Sequence, residues 1–455
     1  MSRELITDEG VRQSYGGDAS GLVMVPDAIA RPESVSEVAE ILRQASSSKT
    51  PVTPAGAQTS TTAASIADRG IVLSTRALSG VLDFDRTRRI MRVQCGALLG
   101  DVKRAAAAEG FLFAPDPTSE NESTVGGAIA CNASGARSLR YGATRGHISG
   151  LKVVLASGES IQIGRSRLEK NTVGYAFAHD PVDWFIGSEG TLGIVVEADL
   201  ILLPMPDEVM GIAFPFSTEQ DAVGFIVAAR ESKALSARCI EYFDILALAI
   251  ARSADERAGW AADAAGMVYV EQEMTTDDGE ALERWLELAE KFNTGADVRV
   301  FQGDAELRLA RRIRHAVPST MNERGSTHRS SGGRKVSTDW AVPYSRFGEA
   351  LSVARGIAEG HGIEQPVIYG HAGNGHPHQN FIARNVDELA VIDSVIEETL
   401  QRVIEMGGTV AAEHGIGKLK RKWLSLQMSE IQIGAMRAVK RELDPQWIMS
   451  PGNIL

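Results

Sequence analysis

What most restricts the fold of this 455-residue chain is how its small residues gather beside short apolar runs. Glycine numbers 45, about a tenth of the chain, against a usual share of roughly 7%. Three clusters fall between residues 55 and 193: Ala55-Gly-Ala-Gln-Thr-Ser-Thr-Thr-Ala-Ala-Ser65, Pro115-Asp-Pro-Thr-Ser-Glu-Asn-Glu-Ser-Thr-Val-Gly-Gly127 running on to Asn132-Ala-Ser-Gly135 and Tyr141-Gly142, and Gly187-Ser-Glu-Gly-Thr-Leu-Gly193. Loops of this kind let backbone N–H groups approach a pyrophosphate, with hydroxyls adding donors. Any one of them reads equally well as a tight turn. Three, each beside an apolar strand, favour a large anionic cofactor. Nicotinamide and nucleotide-triphosphate readings are weak, because no G-x-G-x-x-G occurs and Gly187-x-x-Gly190-x-x-Gly193 has the wrong spacing. Gly417-Lys418 is followed by Leu419 and has Ala412 where a P-loop needs glycine.

The rest of the chain reads as two domains with a carboxy-terminal extension. Ser34-Val-Ser-Glu37 has capping-box spacing, and Val38, Ile41, Leu42 and Ala45 then recur on one helical face. Pro51–Gly56 reads as a short strand running into a small-residue loop, Gly70–Thr75 and Ile90–Gln94 read as strands, and a helix from about Leu99 stops at Gly110. Composition shifts after Pro204-Met-Pro206, where proline breaks regular structure. Strand, helix, strand, strand, helix, strand then follow over Gly211–Phe301, the βαββαβ order of a ferredoxin-like sandwich, with a helical insertion near Leu246–Ala265. The boundaries expected are 1–206, 207–407 and 408–455, the last segment packing back on the first domain.

Composition excludes several classes. Lys and Arg total 47 against 59 Asp and Glu, a net charge of −12 with no basic stripe, so nucleic acid is not a partner. Cys95, Cys131 and Cys239 include no C-x-x-C, which rules out a disulfide framework or an iron–sulfur cluster. MSRELITDEG lacks the basic and apolar regions of a signal peptide, and no run approaches a membrane span. A reduced, cytoplasmic protein with no transmembrane segment is the expectation.

Four of the nine histidines fall between residues 371 and 414. Apolar Val367-Ile368 and Phe381-Ile382 bracket a turn at Ala372-Gly-Asn-Gly375, which predicts a hairpin. On its second strand His376, His378 and Asn380 alternate and share one face, and His371 meets that face across the turn. Two imidazoles and a carboxylate make a three-ligand metal site with an open position. Glu413, beside His414, is the candidate carboxylate. Arg311-Arg-Ile-Arg-His315 lies on a helix-like segment before Ala316-Val-Pro318. Arg311 and Arg312 read as a solvated face, whereas for Arg314 a solvated and a substrate-binding reading balance.

Asp116-Pro117, Thr124-Val-Gly-Gly127, Asn132-Ala-Ser-Gly135, Tyr141-Gly142 and Gly187-Ser-Glu-Gly-Thr-Leu-Gly193, in that order, resemble the D-2-hydroxyacid dehydrogenase branch of the vanillyl-alcohol oxidase type flavoproteins. That branch includes D-lactate dehydrogenase, D-2-hydroxyglutarate dehydrogenase and the glycolate oxidase flavoprotein subunit. The resemblance spans nearly the whole chain. It implies an α+β fold: a two-part FAD-binding domain plus a ferredoxin-like substrate (cap) domain. It implies FAD contacts at Pro54, Ala55, Gly56, Ala57, Gln58, Thr59 and Ser60, at Pro115, Asp116, Thr124, Gly126, Gly127, Asn132, Gly135, Tyr141 and Gly142, and at Glu189, Gly190 and Ile194. The first loop holds no histidine, so the FAD is expected to be non-covalent. The hairpin resembles the branch's Gly-His-x-Gly-Asp-Gly-Asn-x-His motif. Carried over, His371, His378 and Glu413 bind a divalent metal, zinc or manganese, with His371 also at the substrate. His414 is the general base, Asn380 touches substrate, and Arg314 binds its carboxylate. Asn374 stands where the branch commonly has Asp, and His376 where it has Asn. His376 then joins the metal, alters substrate choice, or does neither.

The chemistry implied is oxidation of a D-2-hydroxyacid to the 2-oxoacid. A metal lowers the hydroxyl pKa, His414 takes the proton, and hydride passes to the flavin N5. The electron acceptor expected is a quinone, an electron-transfer flavoprotein or a partner subunit, and a homodimer is left open. Three rivals remain: a flavin oxidase using oxygen on another alcohol, a metallohydrolase using the histidines alone, and an electron-transfer subunit of a larger complex. Lys335 is read as meeting a distal substrate carboxylate. The Lys418-x-Lys420-Arg-Lys422 run and Trp423 read as a solvated turn, with docking to an acidic acceptor the lesser reading, and Leu443–Asn453 as a structural closure.

Overall fold

The protein is described from a computed structural model over residues 5–166, 168–254, 260–274, 279–294 and 297–455. It divides into two compact units: Met1–Gly135, Tyr141–Met205 and Glu413–Leu455 form unit 1, and Ala136–Arg140 with Pro206–Ala412 form unit 2. Among the described residues no helix is long and apolar enough to cross a membrane.

Unit 1 has two main sheets and a two-stranded pair. Strands β1 (Ala28–Ala30), β2 (Val52–Ala55) and β3 (Ile71–Ser74) make a parallel sheet in the order β1-β3-β2. Strands β4 (Val81–Asp85), β5 (Ile90–Gln94), β7 (Ile148–Val154), β8 (Ser160–Gly164) and β9 (Ile194–Ile201) make an antiparallel sheet in the order β4-β5-β9-β7-β8, and β6 (Phe111–Leu112) pairs with β10 (Leu203–Pro204). The helix Val35–Ser48 forms because its apolar residues keep helical spacing. Its Val38, Ile41, Leu42 and Ala45 are buried against β1, β2 and β3, each of the larger ones contributing about 1.5–3 kcal/mol. Ser34 accepts the Glu37 N–H, but Glu37 answers to Glu33 N rather than to Ser34, so that capping box is offset by one residue. A full box closes at Ser429 and Gln432, opening the helix Glu430–Leu443. After that helix the buried Asp444 carboxylate accepts from Ile448 N, Met449 N and Lys440 Nζ. The chain then runs beside β2, with Val52 N donating to Ile448 O and Ser450 N to Val52 O, both at 2.8 Å.

Unit 2 is built on one seven-stranded antiparallel sheet. Its strands are β11 (Glu208–Phe216), β12 (Ala237–Asp244), β13 (Gly266–Met274), β14 (Arg299–Gln302), β15 (Gly332–Ser337), β16 (Val367–His371) and β17 (His376–Asn385). The order is β14-β11-β13-β12-β16-β17-β15. The first four follow the 4-1-3-2 order that the βαββαβ pattern requires, and three further strands extend the sheet beyond β12. Helices Glu219–Glu231, Ala281–Ala289 and Phe347–Gly360 cover one face through Phe225, Trp285 and Phe347. Helices Ile245–Ser253 and Gly303–Ser326 cover the other through Leu248, Ile313, Val317 and Met321. Of the expected insertion, residues 255–259 lie outside the described residues. The helix carrying Arg314 does not stop before Pro318 but continues to Ser326. Proline there removes the N–H that would bond the Arg314 carbonyl and crowds that carbonyl with its ring, while Val317 and Met321 on the same helix are buried on the sheet.

Candidate active site

In unit 1 the three small-residue loops meet with little but backbone between them. A Cβ on Gly56 would collide with Thr124 Oγ1, one on Gly135 with the Asp116 carbonyl, and one on Gly190 with the Pro54 ring. Thr124 caps the helix Val125–Cys131 by accepting from Gly127 N at 3.1 Å, and Gly126 N donates to Cys95 O at 2.7 Å. Both glycine N–H groups are thus engaged inside the protein. Gln58, at φ 55, ties its loop down by donating to Tyr15 O at 2.8 Å, and Ser60 Oγ accepts from Thr62 N and Ala64 N. Lys103 Nζ donates to Pro115 O, Asn132 at φ 50 accepts from Arg145 N, and the Tyr141 carbonyl takes His147 Nε2 just before left-handed Gly142. Ala55 and Ile194 are buried in strands β2 and β9. The partly exposed residues include Pro54, Gly56, Ala57, Gln58, Thr59 and Ser60 in the first loop and Asp116, Gly126, Gly127, Asn132 and Tyr141 in the second. That surface of backbone, hydroxyls and small side chains suits a long anionic cofactor, which needs donors and close approach rather than counter-charges alone.

Glu189 has a role that sequence reasoning missed. At φ 50 it sits buried and accepts from Ile416 N (2.6 Å) and Gly417 N (2.8 and 3.0 Å). Burial raises its pKa, and the two backbone N–H groups offset only part of that rise. Its carboxylate therefore fastens the loop that starts with Glu413 and His414, whose Nε2 and Oε1 are 3.4 Å apart. Lys418 is not in a solvated turn: its Nζ donates to Ala63 O and to Asn453 Oδ1, and burial lowers its pKa to about 8. Lys420 and Trp423 are buried too, leaving Arg421 and Lys422 as the exposed part of the run. Asn453 completes the closure by donating to Ala64 O and Glu189 O.

In unit 2 the predicted histidines come together. Strands β16 and β17 pair His371 with His376 and Tyr369 with His378, so all three imidazoles share one face. They are buried, with ring centroids 4.6–5.5 Å apart. One ring nitrogen of each lies within 4.8 Å of the others. Asn380, two residues on, is buried and donates to Val367 O and His378 O. Such a donor set fits a divalent cation: imidazole nitrogens on one face of a hairpin, with the turn kept tight by left-handed Gly375.

Behind the histidines stands Glu241, which sequence reasoning passed over. It accepts from His371 Nδ1 at 2.6 Å and from Arg314 Nε at 3.1 Å. Burial alone would raise its pKa, but His371 and then Arg314 outweigh burial and bring it to about 2. Arg314 also lies over the Tyr369 ring, 5.5 Å from its centroid. Asp339, fully buried, faces His376 Nε2 at 3.3 Å. A second buried pair, Arg137 with Glu271 (2.9 and 3.0 Å), shares the sheet face, as does Lys335, which donates to Asn322 and whose burial lowers its pKa to about 8. The signal available in the sequence was an acid in the middle of an apolar strand, Ile240-Glu-Tyr242 and Val270-Glu271. A central strand tolerates such an acid only when it is paired. Arg311 and Arg312 are exposed.

Comparison with known proteins gives this arrangement a family. Residues 26–164 match the FAD binding domain and residues 205–454 match the C-terminal domain of FAD linked oxidases. The chain belongs to the FAD-linked oxidases, and it is an oxidoreductase that uses FAD. Within that class it is similar to glycolate oxidase subunit GlcD of Bacillus subtilis, 31% identical over 441 residues, covering 94% of this chain and 89% of the relative. It is 32% identical to D-2-hydroxyglutarate dehydrogenase of Xanthomonas citri pv. viticola over 440 residues, with the same coverage, and 27% identical to D-lactate dehydrogenase of Anaerostipes hadrus over 439 residues. Among solved structures, alkyldihydroxyacetonephosphate synthase shares the fold, with a TM-score of 0.73 at 18% identity over 98% of this chain and 83% of that one.

Proposed function

We propose that this chain oxidises a D-2-hydroxyacid of the lactate, 2-hydroxyglutarate or glycolate type to the 2-oxoacid. Relatives named for those three substrates support the reading. The observation that carries it is the set of buried imidazoles on the β16–β17 hairpin with Arg314 held beside them through Glu241. A hydroxyacid presents a hydroxyl to be deprotonated and a carboxylate to be anchored, and this set addresses both.

His414 takes the hydroxyl proton as the C–H bond at the α-carbon breaks and the carbonyl forms. Arg314 pairs with the substrate carboxylate, its guanidinium plane set by Glu241 at Nε. Asn380 orients the hydroxyacid from the same strand as His378. His371, His378 and Glu413 would hold a zinc or manganese ion, which supplies Lewis acidity toward the hydroxyl. The loops at residues 54–60, 115–142 and 189–194 would hold FAD non-covalently, which supplies the acceptor for the hydride. The electrons leave to a quinone, an electron-transfer flavoprotein or a partner subunit.

The test is anaerobic stopped-flow reduction of the FAD-loaded protein by D- and L-lactate, D- and L-2-hydroxyglutarate and glycolate. Bleaching by one D-acid or by glycolate is expected, and bleaching by none of them overturns the reading. In the same assay His414→Ala should retain FAD and lose about 10²–10⁴-fold in reduction rate; a rate within threefold of the parent removes His414 from the base role. Reoxidation by air as fast as by a dye acceptor would mark an oxidase instead.

A further inference from the structure

The proposed cation site gains a member from the geometry of the hairpin. We propose that His376 is a third imidazole donor, so that unit 2 presents a three-histidine site selective for a borderline divalent cation such as zinc or cobalt over manganese. This rests on the cation reading above and changes its ligand set.

Cross-strand pairing puts His376 directly opposite His371, and His378 follows two residues later on the same face. No pair of rings stacks face to face. The interplanar angles are 64°, 82° and 67°, so ring edges, where the nitrogens lie, turn toward neighbouring rings. A tetrahedral zinc with Zn–N of about 2.0–2.1 Å holds its nitrogens roughly 3.3 Å apart. The nitrogens here lie within 4.8 Å of one another, close to the separation a shared ion requires.

His376 also has a reason to want a ligand. It is 3% exposed, and its Nε2 has no hydrogen-bond partner among the described residues. Asp339 Oδ1 lies 3.3 Å away without hydrogen-bond alignment. Buried polar nitrogens are ordinarily satisfied. A cation in the cluster would take up imidazole lone pairs and place positive charge near Asp339. On the other side, Glu241 accepts from His371 Nδ1 and so leaves Nε2 as the nitrogen a cation takes, the carboxylate–histidine arrangement that orients metal ligands. The selectivity follows from the donors. Each added imidazole favours zinc, cobalt and nickel, whereas manganese favours carboxylate and carbonyl oxygen.

The experiment uses the full chain, stripped of metal and reloaded, with zinc, cobalt or manganese affinity measured by chelator competition and cobalt coordination by its visible absorption bands. His376→Asn and His376→Gln are compared with the parent and with His378→Ala and Glu413→Gln. The two His376 variants should lose at least about 100-fold in zinc and cobalt affinity, more than the 10–100-fold typical of an outer partner. Their manganese affinity should move less than about tenfold, and the cobalt bands should shift. Zinc affinity and cobalt bands unchanged in both variants, while His378→Ala loses the ion, would overturn the three-histidine set and leave the original ligands standing. A parent protein that binds none of the three ions would overturn the cation reading and this proposal together. Thermal unfolding of the metal-free variants close to that of the parent shows that folding is not what changed.

Discussion

The two units solve one problem, holding polar groups out of water, by different means. In unit 1 the small-residue loops are joined largely through backbone: glycines that permit contact, left-handed residues, and the buried carboxylate of Glu189, spread over two N–H groups of the 413–418 loop. In unit 2 the corresponding work falls to charged side chains on the sheet: Glu241 between His371 and Arg314, and Glu271 with Arg137. The difference teaches where each unit is vulnerable. Unit 1 should fail when a Cβ or a lost acceptor disturbs its loops, and unit 2 when a charge loses its partner.

The sharpest break of that contrast is Glu241→Ala. It removes the carboxylate that the Arg314 Nε–H and the His371 Nδ1–H share, at a cost of about 3–5 kcal/mol. Urea unfolding should show that loss, with Glu241→Gln intermediate; a cost below 1 kcal/mol would mean that the pair is not structural. Gly417→Ala is the counterpart in unit 1. At φ 52 any Cβ is strained, and it would meet the Thr62 carbonyl. About 2–4 kcal/mol and loss of bound FAD are expected, read by melting and by flavin absorbance after desalting. Glu189→Ala, which strands two N–H groups, should cost about 1–3 kcal/mol and slow flavin reduction while FAD stays bound. Full retention of the reduction rate would separate Glu189 from the His414 loop.

The smallest effect is a pH dependence. Burial raises the Glu271 pKa, but Arg137, followed by Arg238 and Arg311, brings it from 4.5 down to about 2. A carboxyl with a depressed folded value contributes stability in full above pH 4.5, and that contribution disappears as pH falls from 4.5 toward 2. The stability gap between the parent and Glu271→Gln should therefore narrow over that window. A gap that stays constant from pH 6 to pH 2.5 would contradict the assignment.

Much of this was legible from residues alone. The Val38–Ala45 stripe, the βαββαβ order and the alternation of His376, His378 and Asn380 all follow from period, because a repeat of 3.6 or 2 states which side chains share a face. The first and third glycine clusters were legible as loops, but Gly126 and Gly127 of the second open the helix Val125–Cys131 and spend their N–H groups inside the protein. Lys418 and Lys420 looked solvated because a run of lysines usually is. Here Asn453 and the Ala63 carbonyl, distant in sequence, receive Lys418. Residues 136–140 read as part of the first domain and belong to unit 2, where Leu139 packs on Gly373 and Arg137 on Glu271.

By itself, then, the sequence determined the local elements, the family and the types of residue gathered for chemistry, since these depend on spacing and on motifs read within a few residues. Only the tertiary structure decided who pairs with whom: Glu241 with His371 and Arg314, Glu189 with Ile416 and Gly417, and His376 opposite His371. Burial turns an ordinary acid or imidazole into a group that must have a partner, and the partner is chosen by strand register and loop closure across long stretches of chain.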